Sequence, residues 1–146
     1  MKTSVIIFLL FSLLGPTASC QKKTEIRQVE FGKMSRGYEE RVTIGPDSVH
    51  VWVENVRGQK PQVNYSRVTT KDEWTGIVTL VNQLSLKDIE ALPSPTMKRA
   101  SDAAMHANIT IRTADSKSYT HGFDDDDPHP KLRNLLTRIR EISATR

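Results

Sequence analysis

Residues 38–56 read YEERVTIGPDSVHVWVENV, and this stretch decides the fold. Apolar and polar side chains alternate along Tyr38 to Ile44 and along Val49 to Val56, which is the period of a half-buried strand. Between the two runs, residues 45–48 combine Gly, Pro, Asp and Ser, which favour a tight turn. The stretch therefore predicts two antiparallel strands with one apolar face.

The same period of two extends in both directions from this pair. Ile26 to Phe31 and Val63 to Val68 predict two more strands, so residues 26–68 are expected to form an antiparallel meander. Gly32 and Gly37 are expected to bracket its first connection.

A hairpin is predicted further along the chain, because Ala107 to Thr113 and Ser118 to Phe123 alternate around turn residues 114–117. A turn centred on Asp115 pairs residues whose numbers add up to about 230. His106 is therefore expected opposite Asp124.

Two helices are predicted from apolar residues at three- and four-residue spacing. The first covers about 71–84 and starts at a capping box formed by Thr70 and Glu73. Gly76 inside it is expected to allow close approach to the sheet. The second covers Lys131 to Ser143, and its apolar face is expected to dock on the sheet.

These segments predict an α+β fold with a single antiparallel sheet of about six strands and two main helices, in the order β-β-β-β-α-β-β-α. The length of 146 residues suits one domain, here expected over 26–146. The single cysteine excludes an internal disulfide framework and a zinc site built from several thiolates. A net charge of +4 is too small to favour nucleic acid as a partner.

The N-terminus has the features of a secretory signal peptide. Lys2 precedes an apolar run from Val5 to Leu14 that is shorter than the roughly 20 residues a membrane-spanning helix needs. Residues 17–20, Thr-Ala-Ser-Cys, resemble the lipobox of bacterial lipoproteins, apart from Thr17 where Leu is usual. The resemblance implies that residues 1–19 are removed and that Cys20 is acylated, for example with palmitate, while residues 20–25 form a tether.

The same resemblance bears on location. Gln21 is not the Asp that retains enterobacterial lipoproteins in the inner membrane, and no acidic tract follows Cys20. These features imply an outer-membrane lipoprotein that faces the periplasm, with the membrane as its partner through the lipid anchor.

Two family resemblances cover the folded part. The chain resembles small lipoproteins of Bacteroidota in three short motifs, namely residues 92–95 (LPSP), residues 98–104 (KRASDAA) and the Phe-Asp pair at 123–124. This resemblance implies the same fold and the same cellular location, but no chemical activity. The order of elements also resembles emfourin, an inhibitor of thermolysin-type metalloproteases, although residues 32–37 (GKMSRG) replace its Gly-Gly-Phe-Ala-Gly stretch.

Candidate chemistry is concentrated in the run of four aspartates at 124–127 and His129. Like-charged carboxylates repel one another unless they are solvated or neutralised by a cation. One hypothesis is a divalent-metal site for calcium, manganese or zinc, with the ligands His106, Asp124, Asp126 and His129. The alternative is a solvated acidic segment that caps the last helix and pairs with Lys98 and Arg99.

A binding role is predicted rather than catalysis, since no nucleophile elbow, zinc-protease motif or phosphate-binding loop is present. Lys98, Arg99 and Asp102 are expected at one end of the sheet, and Trp52 on its solvent face, as residues that contact a protein, peptide or glycan of the cell envelope. Trp52 could instead pack under a neighbouring loop or helix. The function expected is thus a non-enzymatic, membrane-tethered binding module without a cofactor, and the alternatives are a metal-binding lipoprotein and a protease inhibitor.

Overall fold

The computed structural model describes residues 24–56, 58, 62–101 and 104–146. Within them the α+β prediction is confirmed, since one six-stranded antiparallel sheet packs with two main helices. The strands are β1 (Ile26–Ser35), β2 (Tyr38–Ile44), β3 (Ser48–Asn55), β4 (Val63–Val68), β5 (His106–Thr113) and β6 (Ser118–Asp124). The helices are α1 (Lys71–Asn82) and α2 (Arg133–Ala144), with short 3₁₀ helices at Leu86–Ala91, Lys98–Ser101 and Pro130–Leu132.

The strand order across the sheet is β4-β3-β2-β1-β5-β6. The first four strands form the predicted meander, and the β5–β6 hairpin adds to the free side of β1. The predicted hairpin register is also confirmed, since His106 lies opposite Asp124 and Ala107 lies opposite Phe123. β1 is therefore a central strand with partners on both sides.

The predicted end of β1 at Phe31 is wrong, because the strand continues to Ser35. Gly32 does not begin a turn but pairs with Arg41 on one side and Asn108 on the other. A Cβ at Gly32 would lie 3.2 Å from the side-chain amide of Asn108, so the glycine makes room for that amide. The connection to β2 is only the turn around Gly37, whose φ is 82°.

The core lies between one face of the sheet and the helices. Alternate residues of each central strand point into it, as Val29 and Phe31 do on β1. Leu135, Ile139 and Ile142 of α2 join them, which confirms that this helix docks on the sheet. His121 is buried in the same core.

α1 begins at the predicted capping box, where Thr70 and Glu73 bond to each other's backbone N–H groups. The expected role of Gly76 is wrong, because the glycine faces the other helix and not the sheet. A Cβ on Gly76 would meet the Arg138 guanidinium of α2, with Nε at 3.3 Å.

The antiparallel strands give the sheet two distinct ends. At the end that we call the loop end, β1 finishes at Ser35, β6 finishes at Asp124, and β5 begins at His106. At the opposite end, which we call the anchor end, β1 begins at Ile26 and pairs with Thr113. The predicted signal peptide, Cys20 and most of the tether lie outside the described residues.

Candidate functional site

The acidic segment 124–127 lies at the loop end, as the register predicts, but its carboxylates point to different partners. Asp124 is 2% exposed and binds the preceding loop. Its carboxylate accepts hydrogen bonds from the Thr96 hydroxyl, from the Lys98 N–H at 2.7 Å and from Arg99 Nη1 at 2.7 Å. Although burial raises the pKa of Asp124, these hydrogen bonds lower it to about 2. Asp124 therefore holds the 96–99 loop against β6.

Asp125 and Asp127 also make contacts that hold the local structure together. Asp125 has a φ of 54°, and its backbone N–H and its carboxylate both bond to the backbone of Met105. Asp127 closes the turn with its N–H to the Asp124 carbonyl, and its carboxylate pairs with Arg133 at 3.1 Å. The segment is thus a tight turn whose side chains anchor neighbouring elements.

His129 caps the 3₁₀ helix that leads into α2, because its Nδ1 accepts the Lys131 N–H at 3.3 Å. Its own backbone N–H donates to His121 Nε2 at 3.4 Å. His129 is therefore tied to the core and to the start of the last helices.

The predicted metal set does not converge. His106 is exposed beside buried Asp124, Asp126 points to two cations, and His129 caps a helix. No group of three or more His, Cys, Asp or Glu side chains that could hold a metal ion is found among the described residues. The alternative hypothesis is confirmed only in its pairing with Arg99. It is wrong in two respects, because Asp124 is buried and not solvated, and because His129 and not an aspartate caps the helix start.

Two of the other predicted binding residues, Lys98 and Arg99, lie at the loop end as expected, where both bond to Asp124, whereas Trp52 lies apart from them. Lys98 is exposed and Arg99 is committed to Asp124, while Asp102 lies outside the described residues. Trp52 is half-buried on the face of the sheet opposite the core, between Arg41 and Asn64. The helices pack on the other face, so the side of the sheet predicted for Trp52 is confirmed and its binding role stays a prediction.

A cleft of about 450 Å³ lies at the loop end, on the core side of the sheet. Its lining combines four charged side chains with a phenol and two aliphatic residues: Lys33, Tyr38, Glu40, Val53, Val63, Asp126 and Arg140. β1, β2, β3 and β4 supply one wall, and α2 and the acidic turn supply the rest. Of these residues, only Asp126 was a predicted site residue.

Arg140 is the centre of the cleft. Its guanidinium lies 4.3 Å from the centroid of the Phe31 ring, a cation–π contact. Nη1 donates to Glu40, and Nη2 donates to Asp126 at 2.5 Å. Burial lowers the pKa of Arg140, but the bonds to the two carboxylates raise it above its ordinary value. The arginine therefore stays charged and fixed in position.

Lys33 and Tyr38 complete the network. Lys33 Nζ lies 2.5 Å from Asp126 Oδ2, so this carboxylate is held by two cations. The Tyr38 hydroxyl donates to Glu40 at 3.0 Å, and burial together with the Glu40 charge raises the pKa of Tyr38 to about 12. At neutral pH the phenol keeps its proton and acts as a donor. This arrangement can hold anionic oxygen atoms beside an apolar wall.

The sequence does contain a signal for this cleft. Lys33 follows Phe31 by two residues and Glu40 precedes Val42 by two, so both charges occupy the core-facing positions of their strands. Charged residues at such positions require partners. Because β1 is predicted to end at Phe31, the sequence does not place Lys33 on a strand. The proximity of Arg140 to Lys33 depends on the tertiary fold.

No helix in the described part of the chain is long and apolar enough to cross a membrane. In comparisons with known proteins, no family model matches the chain, and no curated protein matches its sequence.

Proposed function

We propose that the chain is a lipid-anchored protein of the bacterial cell envelope whose loop end is a non-enzymatic binding module. The support for the anchor comes from the sequence, where a signal-like segment ends at residues 17–20 with the only cysteine, Cys20. Location at the periplasmic face of the outer membrane belongs to the same proposal and rests on Gln21.

The observation that carries the proposal is the position of β1. This strand starts at Ile26, shortly after the proposed tether, and runs without interruption to Ser35 at the loop end. Ten residues at about 3.3 Å each give roughly 30 Å between its ends. A lipid on Cys20 would therefore leave the loop end, with its cleft, on the side away from the membrane.

The loop end also offers the features of a binding surface. The cleft there combines fixed polar groups with the aliphatic side chains of Val53 and Val63, a composition typical of ligand sites. The alternative of a metal-binding lipoprotein gains no support from the contacts of the described residues, and that of a protease inhibitor stays untested. A protein, peptide or glycan of the envelope remains the proposed partner.

Metabolic labelling with an alkyne analogue of palmitate tests the anchor in the full chain, expressed with a C-terminal tag in a Gram-negative host. The wild type and a matched Ser19→Ala variant, which keeps a small residue before the cysteine, are expected to take up the label and to sediment with membranes. Cys20→Ala is expected to lose both properties. A label that persists on Cys20→Ala, or a processed wild type without label, would rule out the proposed anchor.

A further inference from the structure

The carboxylate of Asp126 occupies a site made by two cations. Lys33 and Arg140 each lie 2.5 Å from a different oxygen atom of this carboxylate. Charge-assisted bonds to both oxygens of one carboxylate are the usual means by which proteins recognise a free acid. The cleft is therefore a carboxylate site that is filled by a residue of the same chain.

Arg140 is fixed independently of Asp126, whereas the Lys33 ammonium pairs with Asp126 and is placed by its strand. The Lys33 side chain is 13% exposed and belongs to central strand β1. Arg140 lies over the Phe31 ring and also binds Glu40, whose second oxygen is held by Tyr38. Arg140 would stay in place if the Asp126 carboxylate moved away, so this half of a site for another carboxylate is preorganised, and the mostly buried Lys33 side chain supplies the second donor beside it.

Asp126 is the member of the network best able to move. Its side chain is 47% exposed, compared with 11% for Glu40 and 31% for Arg140. It lies in the turn between β6 and the last helices, outside every helix and strand. Without Asp126, the positive charges of Lys33 and Arg140 face one negative charge among the described lining residues, that of Glu40. The emptied cleft would carry one net positive charge and would favour an anion.

The remaining wall indicates what is attached to that anion. Val53 and Val63 supply aliphatic surface next to the charged network. Val63 also begins β4, one of the two edge strands of the sheet, and one side of the β4 backbone has no strand partner among the described residues. An extended peptide can add to such an edge through backbone hydrogen bonds, while a terminal carboxylate is captured separately.

We propose that the cleft binds the C-terminus of a peptide with small aliphatic residues, whose free carboxylate replaces the Asp126 side chain on Lys33 and Arg140. This inference rests on the proposed binding function of the loop end and names the class of its partner. Asp126 then acts as a built-in competitor, so that only a ligand with both an acid and a fitting apolar side chain displaces it.

Fluorescence polarisation with the full chain in detergent micelles tests the proposal. The probe is fluorescein-labelled Gly-Ala-Val-Val with a free C-terminus, and the matched control probe is the same peptide as its C-terminal amide. We expect the acid to bind the wild type, and to bind Asp126→Asn about tenfold more tightly because the competitor is gone. The amide is expected to bind both proteins at least about tenfold more weakly, because it lacks the charge.

Variants of the cations and of a neighbouring carboxylate provide the controls. Arg140→Gln and Lys33→Met are expected to abolish binding of the acid, whereas Asp127→Asn, which alters an exposed pair with Arg133, is expected to behave as the wild type. Circular dichroism establishes whether each variant is folded. If Arg140→Gln does not fold, the binding of the acid and amide probes to Asp126→Asn tests the proposal instead.

Equal binding of acid and amide, or no binding of the acid to folded Asp126→Asn, would overturn the proposal. Trigalacturonic acid that binds as tightly as the peptide acid would overturn the peptide assignment in favour of a glycan. This titration needs neither acylation nor a native partner. A negative result would therefore overturn the peptide inference without overturning the proposed function, which palmitate labelling and crosslinking at the loop end test separately.

Discussion

At the scale of single residues, the charged groups on the core side of the sheet determine where the cleft forms. Lys33 and Glu40 occupy inward-facing strand positions at which a charge loses most of its hydration. Each compensates through a bond to an opposite charge, with Asp126 and Arg140 as the partners. The cost of burial is thus offset by pairing, and it concentrates these groups in a single cleft.

His121 is the buried titratable group on which the fold is expected to depend most visibly. It is 2% exposed, its ring stacks on Phe123 at a centroid distance of 5.8 Å, and its Nε2 accepts the N–H of His129. A protonated Nε2 could not accept that bond. Burial, with a smaller contribution from the charges of His129 and Arg99, lowers the pKa of His121 below 6.5.

The stability of the protein should therefore decrease as the pH falls below about 6.5. The unfolded chain takes up a proton at His121 near pH 6.5, whereas the folded chain resists it until a lower pH. The contribution of this group to the free energy of unfolding is fully present above pH 6.5. It is lost below that value at up to about 1.4 kcal/mol per pH unit. Urea unfolding between pH 5 and pH 8 measures it.

The control for this prediction is a pair of variants. His121→Gln should remove most of the slope between pH 6.5 and pH 5, and His50→Gln, at an exposed position of β3, should retain it. Glu73 and Asp124, whose pKa values lie at about 2, lose their contribution only in more acidic solution. A slope that is unchanged in His121→Gln would contradict this account of the buried histidine.

The acidic segment shows how far residue patterns predict a site. Pairing arithmetic correctly placed Asp124 at the loop end opposite His106. The direction of each carboxylate depends on φ at Asp125 and on cations that are distant in sequence, such as Arg140. Local sequence does not indicate those long-range pairs, so the residue pattern predicts a shared metal site that the geometry does not support.

At the scale of elements, the start of α1 combines a helix cap with a tertiary ion pair. Glu73 completes the capping box with Thr70, and its two carboxylate oxygens accept bonds from Arg67 of β4 at 2.9 and 2.7 Å. The Arg67 side chain also donates to the carbonyl of Ile142 in the last turn of α2. One carboxylate therefore links the edge strand to both helices.

Glu73→Ala is accordingly expected to lower the free energy of unfolding by on the order of 2 kcal/mol. The substitution removes a cap and leaves the largely buried Arg67 without its carboxylate partner. Chemical denaturation at pH 7 measures the change. The matched control is Asp72→Ala in the same helical turn, which is exposed and should cost less than about 1 kcal/mol. Equal losses in both variants would show that the link to Arg67 contributes nothing.

The acidic turn is expected to leave the protein insensitive to divalent cations. Asp124 and Asp126 are occupied by protein donors, so calcium, manganese and zinc should not shift the unfolding midpoint relative to chelator. A true site at 100 times its dissociation constant would add about 2.7 kcal/mol, which amounts to several degrees. Thermal unfolding measures this shift. A cation that stabilises the wild type but not Asp124→Ala/Asp126→Ala would restore the metal hypothesis.

The elements themselves were largely accessible to sequence reasoning, since strand alternation, the capping box and the hairpin turn are local signals. The predictions that are wrong concern two glycines. Gly32 was expected to end β1 and Gly76 to approach the sheet, but each makes room for a side chain of another element, Asn108 and Arg138 respectively. A glycine in the sequence indicates that another group packs closely against the backbone, but the tertiary structure is needed to identify that group.

At the scale of the whole molecule, the order of the strands decides the geometry of the proposed function. The addition of β5 beside β1 makes β1 central and brings the acidic turn next to Lys33. The pairing of β1 with β5 joins segments more than seventy residues apart, which neither turn chemistry nor periodicity indicates. The meander was therefore predictable, whereas the cleft was not.

The central claim is that binding takes place at the loop end, away from a lipid on Cys20. Photocrosslinking in intact cells tests it most directly, with a photoreactive phenylalanine analogue in place of Arg36 at the loop end or Asp47 at the anchor end. Both positions lie in exposed turns between strands. We predict a discrete crosslinked partner from position 36 that is lost in Arg140→Gln, and none from position 47. Equal crosslinking from both ends, or none from position 36, would contradict the account.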